Sequence, residues 1–317
     1  MPRLSIVIPL LGDASQLDDT LVSVLENRPA HCEILVVHNR PYADPYGLAG
    51  EVRFIEAPRG AKMAECLNLG LRASRAAVVH VLTCGVEVTS GWAEQAVRHF
   101  RDAEVAAVAP LVTSSDEPSQ VVSAGLGYRA EGTAWRLCQG VPVDQVDACQ
   151  SELCGPDTLA AFYCKSTLAA IGGFPTHSTD TLTGIDTALA IRQAGFRCVL
   201  EPSCQARVQH HAVRPRRAIR RGRDAERLFW RWASAHGLFR SVAGHAALVA
   251  GECVIGLWRP LLLLQLLGRV WGAIHLISSR IRSKPSETGV AEDPAVISMT
   301  EYEPDVCHRP QRSSNAA

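Results

Sequence analysis

The feature that most constrains the fold is the alternation of short apolar runs with helix-period segments over the first hundred residues. Four runs rich in β-branched residues predict strands, and two segments between them place their apolar residues on one helical face. The predicted strands lie at residues 4–10, 34–37, 52–55 and 77–82, and the helical faces comprise Leu17, Leu21, Val24 and Leu25, then Met63, Cys66, Leu67 and Leu71. Such strands, alternating with helices, indicate a mostly parallel, doubly wound α/β sheet.

The rest of the chain divides by composition into three parts. Residues 105–211 are more irregular, with a helix predicted from Thr183 to Gln193 and closed by Ala194 and Gly195, and they complete one domain spanning residues 1–215. Residues 216–282 form a basic and then apolar helical extension. Residues 283–317 are polar, mildly acidic and interrupted by four prolines, which predicts a disordered tail.

The balance of charge hides a strongly basic segment. Lys plus Arg equals Asp plus Glu at 32 each, which argues against a dedicated nucleic-acid binder, yet residues 207–240 hold ten Arg against Asp224 and Glu226. An apolar stretch at 242–277 follows, and its uncharged runs fall short of the ~20 residues of a spanning helix. Three interpretations stay open: a helical pair packed on the domain, an element lying on a membrane surface, or a nucleic-acid site, which lacks base-stacking aromatics.

The cysteines and the amino terminus bear on the compartment. Eleven Cys, an odd number with no CxxC pair, indicate neither a disulfide framework nor a zinc site. The chain passes from Met1 directly into an apolar strand, without the features of a secretory signal peptide. We therefore expect reduced thiols and a cytoplasmic protein, placed peripherally on the inner face of the plasma membrane if the extension lies on a membrane.

Ligands of an open parallel sheet bind outside the carboxyl ends of its strands. In this sequence those ends carry Leu10 and Leu11, then His38 and Asn39, then Thr83, Cys84 and Gly85. The last two groups offer polar atoms, and none of the three offers a carboxylate.

An ordered series of motifs resembles the family-2 glycosyltransferases, which have the GT-A fold, a Rossmann-like α/β architecture. The series covers roughly residues 3–235 and comprises SIVIP at 5–9, EILVV at 33–37, AECLNLGL at 64–71, VTSGW at 88–92, IGGFP at 171–175, GIDTALAIRQAGF at 184–196, EP at 201–202 and VQHH at 208–211. The resemblance implies a GT-A domain over residues 1–215, and transfer of a sugar from a nucleotide-diphosphate donor to a hydroxyl acceptor with inversion. A lipid-linked or polysaccharide acceptor would fit an extension that lies on a membrane.

The resemblance also implies roles for individual residues. Asp186 matches the general base that deprotonates the acceptor hydroxyl, and the alternative is a charge at the amino end of a helix. The donor-binding residues that it implies are Pro9, Leu10, His38, Asn39, Thr83, Gly85 and His210. Two further candidates come from their position alone: Arg59, which could meet a phosphate near a helix amino terminus, and Glu87, a carboxylate two residues after Gly85. For Arg59, Glu87 and His210 the competing interpretation is a solvated surface charge.

The sequence departs from the family at positions that would bind the metal and the nucleotide and that adjoin the general base. Thr83, Cys84 and Gly85 stand where the family has its metal-binding Asp-x-Asp, so both carboxylates that would hold Mg²⁺ or Mn²⁺ are replaced. His38 stands where an Asp contacts the nucleotide, and Ile185 replaces the Glu that precedes the base. Two functions follow: a transferase in which Arg, Lys or His replaces the metal, or a catalytically degenerate member that binds sugar, nucleotide or a partner as a scaffold.

Overall fold

The computed structural model describes residues 2–12, 14–177, 180–209 and 215–282. The strands are β1 Leu4–Leu10, β2 Cys32–His38, β3 Val52–Glu56, β4 Val78–Leu82, β5 Val86–Val88, β6 Val105–Ser114, β7 Val121–Ser123, β8 Leu126–Tyr128, β9 Ala134–Arg136, β10 Ala160–Cys164 and β11 Arg197–Val208. The helices are α1 Ser15–Glu26, α2 Met63–Ala73, α3 Glu94–Arg98, α4 Lys165–Ala170, α5 Asp180–Gln193, α6 Pro215–Trp232, α7 Leu238–Gly256 and α8 Pro260–Arg282. Short 3₁₀ segments lie at Leu48–Gly50, His99–Arg101, Val143–Glu152 and Ala233–His236.

One large sheet carries the fold, in the order β3-β2-β1-β4-β10-β6-β11-β5, with β7 paired to β6. Strands β3, β2, β1 and β4 are mutually parallel, as the sequence predicts, and β6 and β11 are also parallel. The second half is mixed, because β10 runs antiparallel to both β4 and β6 and β5 runs antiparallel to β11. The α/β class is confirmed, whereas the parallel order holds mainly for the first half.

The predicted helices of the first half pack where their apolar faces indicate. Gly70 of α2 lies so close to β1 that an added Cβ would stand 2.3 Å from Val7 Cγ1. His80 is fully buried in β4, with its ring 3.9 Å from that of Phe162 and 4.6 Å from that of Trp92. His80 is therefore enclosed by aromatic rings at the centre of the sheet.

The carboxyl-terminal extension is helical, as predicted. Helices α6 and α8 cross at glycines: an added Cβ on Gly222 would stand 1.9 Å from the Gln265 carbonyl oxygen, and one on Gly268 would stand 2.1 Å from that of Ile219. Helix α7 folds back on α8, where Arg269 donates two hydrogen bonds to Glu252, at 2.8 and 3.0 Å. Three helices thus pack as one group against the domain.

One helix of this extension is longer than the uncharged runs in the sequence. Helix α7, Leu238–Gly256, is long and apolar enough to cross a membrane by length and composition alone, and 11% of its most apolar stretch is buried. The uncharged run is shorter because it ends at Glu252, whose charge is paired with Arg269. The tail at 283–317 lies outside the described residues, and the domain boundaries stay predictions.

The expectation of uniformly reduced thiols is wrong at one position. Cys138 is disulfide-bonded. Eight of the described cysteines are free thiols, and one of these, Cys253 on α7, is exposed. Sequence spacing did not reveal the bond, because pairing depends on which loops the fold brings together. The cytoplasmic location stays a prediction.

Candidate functional site

The carboxyl ends of β1 and β2 lie side by side at one edge of the sheet. The backbone N–H of Asn39 donates to the Leu10 carbonyl at 3.4 Å, and Asn39 Nδ2 donates to the Ala61 carbonyl at 2.8 Å. Asn39 Oδ1 is buried and has no hydrogen-bond partner among the described residues. His38 is also buried, with Nδ1 2.7 Å from the Arg40 carbonyl. The structure therefore brings Leu10, His38 and Asn39 together, with one acceptor atom left unpaired.

Tyr42 also lies at this edge, although sequence reasoning did not single it out. Its ring stacks on Phe54 with 5.2 Å between centroids and lies 6.2 Å from the ring of His38. The hydroxyl is buried and has no hydrogen-bond partner in the part of the chain that the structure describes. Burial together with Asp18 raises the pKa of Tyr42. An aromatic residue shortly after a strand end was the signal that could have identified it.

The turn after β4 is fastened to the surrounding backbone. Thr83 Oγ1 donates to the Thr158 carbonyl at 2.8 Å, and Cys84 Sγ donates to the Pro9 carbonyl at 3.3 Å. Gly85 has a φ of 85°, which favours glycine, and its N–H donates to Thr20 Oγ1 at 2.9 Å. Pro9, Thr83 and Gly85 thus lie together at the sheet edge, as the resemblance implies.

This turn does not fit a divalent metal. Burial raises the pKa of the Cys84 thiol to about 12, so the group is a neutral thiol near neutral pH and not the thiolate that binds metals. Thr83 offers only a neutral hydroxyl, and Mg²⁺ and Mn²⁺ favour carboxylate oxygens. Within the part of the chain that the structure describes, no group of three or more His, Cys, Asp or Glu side chains could hold a metal ion.

Three other candidate donor residues lie elsewhere or outside the described residues. Glu87 lies in β5 opposite Arg207 of β11, so it belongs to a strand and not to a loop. Arg59 is exposed and lines a cavity of about 420 Å³ beside the amino end of α2. His210 lies outside the described residues.

Asp186 is buried in α5, with 1% of its surface exposed. Trp232 Nε1 donates to Asp186 Oδ1 at 2.8 Å, and an Arg231 guanidinium nitrogen donates to Oδ2 at 3.1 Å. Because α5 begins at Asp180, Asp186 lies in the second turn, and the explanation as a charge at the helix amino end is weakened. Two residues of α6 thus hold its carboxylate, a contact that no sequence pattern indicated.

His177 completes the surroundings of this carboxylate. Its Nε2 lies 3.2 Å from Asp186 Oδ2 and 2.9 Å from an Arg231 guanidinium nitrogen. The His177 and Arg231 side chains are 47% and 46% exposed, whereas Asp186 is enclosed. The arrangement therefore presents a His and an Arg to solvent over a buried carboxylate.

Two adjoining cavities flank this group. Asp186, His177 and Arg231 line one of about 250 Å³, and the cavity beside Arg59 shares Asn68 and Thr176 with it. Asn68 fixes the loop between them, since its Nδ2 donates to the Phe174 carbonyl and its Oδ1 accepts from the Phe174 N–H, both at 2.8 Å. The two cavities therefore adjoin at Asn68 and Thr176.

A short segment before β10 connects the β4 turn to α5. The Thr158 carbonyl accepts from Thr83, and an added Cβ on Gly184 of α5 would stand 3.5 Å from Thr158 Cγ2. In the same segment Asp157, 2% exposed, accepts a 2.6 Å hydrogen bond from Arg136 Nε. The β4 turn and the helix of Asp186 therefore meet at one wall, which also carries an arginine.

Comparisons with known proteins agree with this architecture. Residues 5–137 match the family model described as Glycosyl transferase family 2, which is less than half of the chain. No curated protein is significantly similar to the chain in sequence. The chain is therefore family-2 glycosyltransferase-like over its amino-terminal part.

Two solved structures share the fold. The mannosyltransferase PcManGT from Pyrobaculum calidifontis, in complex with GDP-Man and Mn²⁺, is 16% identical over 89% of this chain and 86% of its own, with a TM-score of 0.53. GalNAc-T7 with UDP, GalNAc and Mn²⁺ is 14% identical over 66% of this chain and 44% of its own, with a TM-score of 0.51. At these identities the likeness establishes the GT-A fold.

Proposed function

We propose that this protein transfers a sugar from a nucleotide-diphosphate donor to a hydroxyl acceptor, with inversion at the anomeric carbon. The observation that carries the proposal is the Asp186 carboxylate, which lines a cavity in a GT-A fold and is held by α6. The family match over residues 5–137 supports the donor class, because nucleotide sugars are the donors of such enzymes. We also propose that the acceptor hydroxyl belongs to a lipid-linked or polymeric molecule.

In the proposed step the acceptor oxygen bonds to the anomeric carbon while the bond from that carbon to the diphosphate breaks. The acceptor proton passes to Asp186, and the nucleotide diphosphate leaves with the electron pair. Arg231 and Trp232 orient the carboxylate through one charged and one neutral hydrogen bond. His177, beside Oδ2, fixes the same oxygen.

The leaving diphosphate needs positive charge, and the residues of the β4 turn do not fit a metal that would supply it. Arg136 lies beside the Thr158 segment, and Arg221 of α6 has Arg136 and Asp157 among its electrostatic neighbours. Guanidinium groups bind phosphate oxygens in a bidentate manner. We therefore assign the stabilisation of the leaving group to Arg136 and Arg221.

The nucleobase end of the donor would meet the edge formed by β1 and β2. Asn39 Oδ1 is a buried acceptor that no described residue pairs, and it fits an N–H of a base. Tyr42 and Phe54 offer stacked aromatic rings in the same place. These features support a nucleotide ligand independently of the Asp186 group.

A binding scaffold without turnover is the second candidate function. Its supporting observation is that Asp186 is almost completely enclosed, while the β4 turn carries no carboxylate. The two candidates share the nucleotide site and differ in whether product forms.

The test combines binding with turnover. We expect nucleotide diphosphates to raise the melting temperature, and a nucleotide-sugar donor to release its nucleotide when an acceptor is supplied. Asp186→Asn keeps the size of the side chain and should leave donor affinity nearly unchanged while it lowers kcat by a factor of ~10² to 10⁴. Asp116→Asn, at an exposed position, is the matched control and should retain full turnover.

Three outcomes separate the candidates. Binding with turnover that depends on Asp186 supports the transferase, and product of inverted configuration, read by NMR, supports the single displacement. Binding without release of nucleotide from any donor supports the scaffold. Failure of every nucleotide diphosphate to bind contradicts the transferase and favours a scaffold that binds a sugar or a partner.

A further inference from the structure

Exposed apolar surface is concentrated on α7 and α8. Of the fifteen large apolar side chains exposed among the described residues, twelve lie between positions 238 and 274. They are Leu238, Phe239, Val254, Ile255, Leu257, Trp258, Leu261, Leu263, Leu267, Val270, Trp271 and Ile274. Single exposed apolar residues are normal on a soluble protein, but a group of this size marks a contact surface.

The two faces of α8 are the reverse of those of a soluble surface helix. Gly268, Arg269 and Gly272 are buried against α6 and α7. The opposite face carries Leu263, Leu267, Val270, Trp271 and Ile274, all exposed. At 100° per residue these five side chains fall within a sector of about 100°, so they form one continuous stripe along the helix. The polar contacts of α8 thus point inward and its apolar stripe points outward.

The charged residues of this region are almost all basic. Glu252 is the only acidic residue between positions 238 and 282, and its carboxylate is paired with Arg269. The other charged residues in that range are Arg240, Arg259, Arg280 and Arg282. The apolar surface is therefore accompanied by arginines and by no unpaired acid.

The turn between the two helices is the most exposed part of this surface. Leu257 and Trp258 are 76% and 87% exposed, and Arg259 follows them directly. Tryptophan next to a basic residue is typical of the boundary between lipid headgroups and acyl chains.

We infer that the outer faces of α7 and α8, with the turn at 257–259, dock the protein on a lipid bilayer that contains anionic lipids. The apolar side chains enter the acyl boundary, and the arginines pair with headgroup phosphates. The inner face of α7 stays on the protein, because His245 contacts Glu226 of α6 and Glu252 contacts Arg269 of α8. The protein thus lies on the membrane and does not cross it.

A second copy of the chain fits this surface less well. In a two-fold dimer the same patch faces itself, so the arginines at 240 and 259 would meet other arginines with no acid between them. An anionic bilayer supplies the missing negative charge. It also accommodates a protruding turn without a complementary pocket.

Docking would connect the membrane to the candidate site through α6. Gly222 of α6 contacts α8, and Arg231 and Trp232 of the same helix hold Asp186. Nine residues along a helix span about 14 Å, so α6 joins the helix that docks to the residues that hold the carboxylate.

The test uses the full chain and flotation with vesicles of phosphatidylcholine alone or mixed with phosphatidylglycerol. We expect binding to the mixed vesicles at low salt and weaker binding at high salt. The double variant Leu257→Asp/Trp258→Asp should bind them more weakly by more than about tenfold, since two apolar side chains no longer enter the bilayer. Arg259→Ala should lower binding by about fivefold on the mixed vesicles and leave neutral vesicles unaffected.

The matched control is Val22→Asp on α1, whose side chain is 55% exposed on another part of the molecule. It should bind vesicles as the unchanged chain does, and circular dichroism should show all variants folded. A chain that ignores both kinds of vesicle overturns the proposal. So does a stable dimer that the double variant converts to a monomer, which would make this face an interface between copies. Resistance to alkaline extraction from the vesicles would show a spanning helix instead.

Discussion

Trp232 Nε1 donates a 2.8 Å hydrogen bond to Asp186 Oδ1, and this contact joins two helices whose residues lie 46 positions apart. Both groups are buried, at 6% and 1% exposure. Burying a carboxylate costs free energy unless hydrogen-bond donors replace the lost water. The indole of Trp232 and the guanidinium of Arg231 donate to this carboxylate, so α6 positions the candidate base.

Removing the indole donor should cost stability. Trp232→Phe keeps an aromatic ring in the core but removes the hydrogen bond to the carboxylate. We expect the free energy of unfolding to fall by about 1.5–3 kcal/mol, measured by chemical denaturation. Trp258→Phe, at an exposed position, is the control and should change it little. Equal losses in both variants would contradict the importance of the contact.

Nucleotide binding should depend little on divalent cations. The β4 turn offers a neutral hydroxyl and a thiol whose pKa burial raises to about 12, and neither replaces a carboxylate. Calorimetric titration of a nucleotide diphosphate in EDTA and in Mn²⁺ should therefore give similar affinities. Complete loss of binding in EDTA would instead indicate a metal held by other residues, among which Glu87 and His210 would be the first to vary.

The α6–α8 crossing should not tolerate a side chain at Gly222. An added Cβ would stand 1.9 Å from a backbone carbonyl oxygen, which cannot move without displacing the helix. Gly222→Ala should lower the free energy of unfolding by about 1–3 kcal/mol or more. Gly251→Ala on α7, where nothing lies within 4 Å of the added Cβ, should be neutral or stabilising by up to about 1 kcal/mol. Limited proteolysis should show α8 released in the first variant only.

Acidification should destabilise the sheet through His80. Burial lowers the pKa of His80 from 6.5 to about 3, so between those values the unfolded chain binds a proton that the folded chain does not. Stability is therefore lost as the pH falls below 6.5, by up to about 1.4 kcal/mol per pH unit. His80→Leu removes this titration and should show a shallower decline in denaturant unfolding between pH 6.5 and pH 4. Parallel pH profiles for the two proteins would show that His80 is not the source.

The amino-terminal architecture could be predicted from the sequence because it follows from local periodicity. The strands β1 to β4 and the helices α1 and α2 lie where apolar runs and helical spacing indicate, since each buries the residues that define its pattern. The carboxyl ends of β1, β2 and β4 meet at one edge for the same reason, which places Leu10, His38, Asn39 and Thr83 together. Parallel strands that are adjacent in a sheet end side by side.

The contacts of the candidate site were determined by the tertiary structure. Asp186 could be identified as a candidate, but its donors come from α6, whose arginines look in the sequence like one uniform basic run. The disulfide at Cys138 depends likewise on which cysteine the fold brings beside it, and the mixed half of the sheet depends on where β10 inserts.

In the apolar extension, too, the sequence determined some features and the tertiary structure determined others. The sequence shows that the extension is apolar. It does not show which face of each helix packs on the protein, because periodicity indicates only that a helix has two different faces. Packing at Gly222 and Gly268 and the pairing of Glu252 with Arg269 turned the polar face of α8 inward and left its apolar stripe outside. Short-range pattern thus determined which elements form, and long-range contacts determined what each element faces.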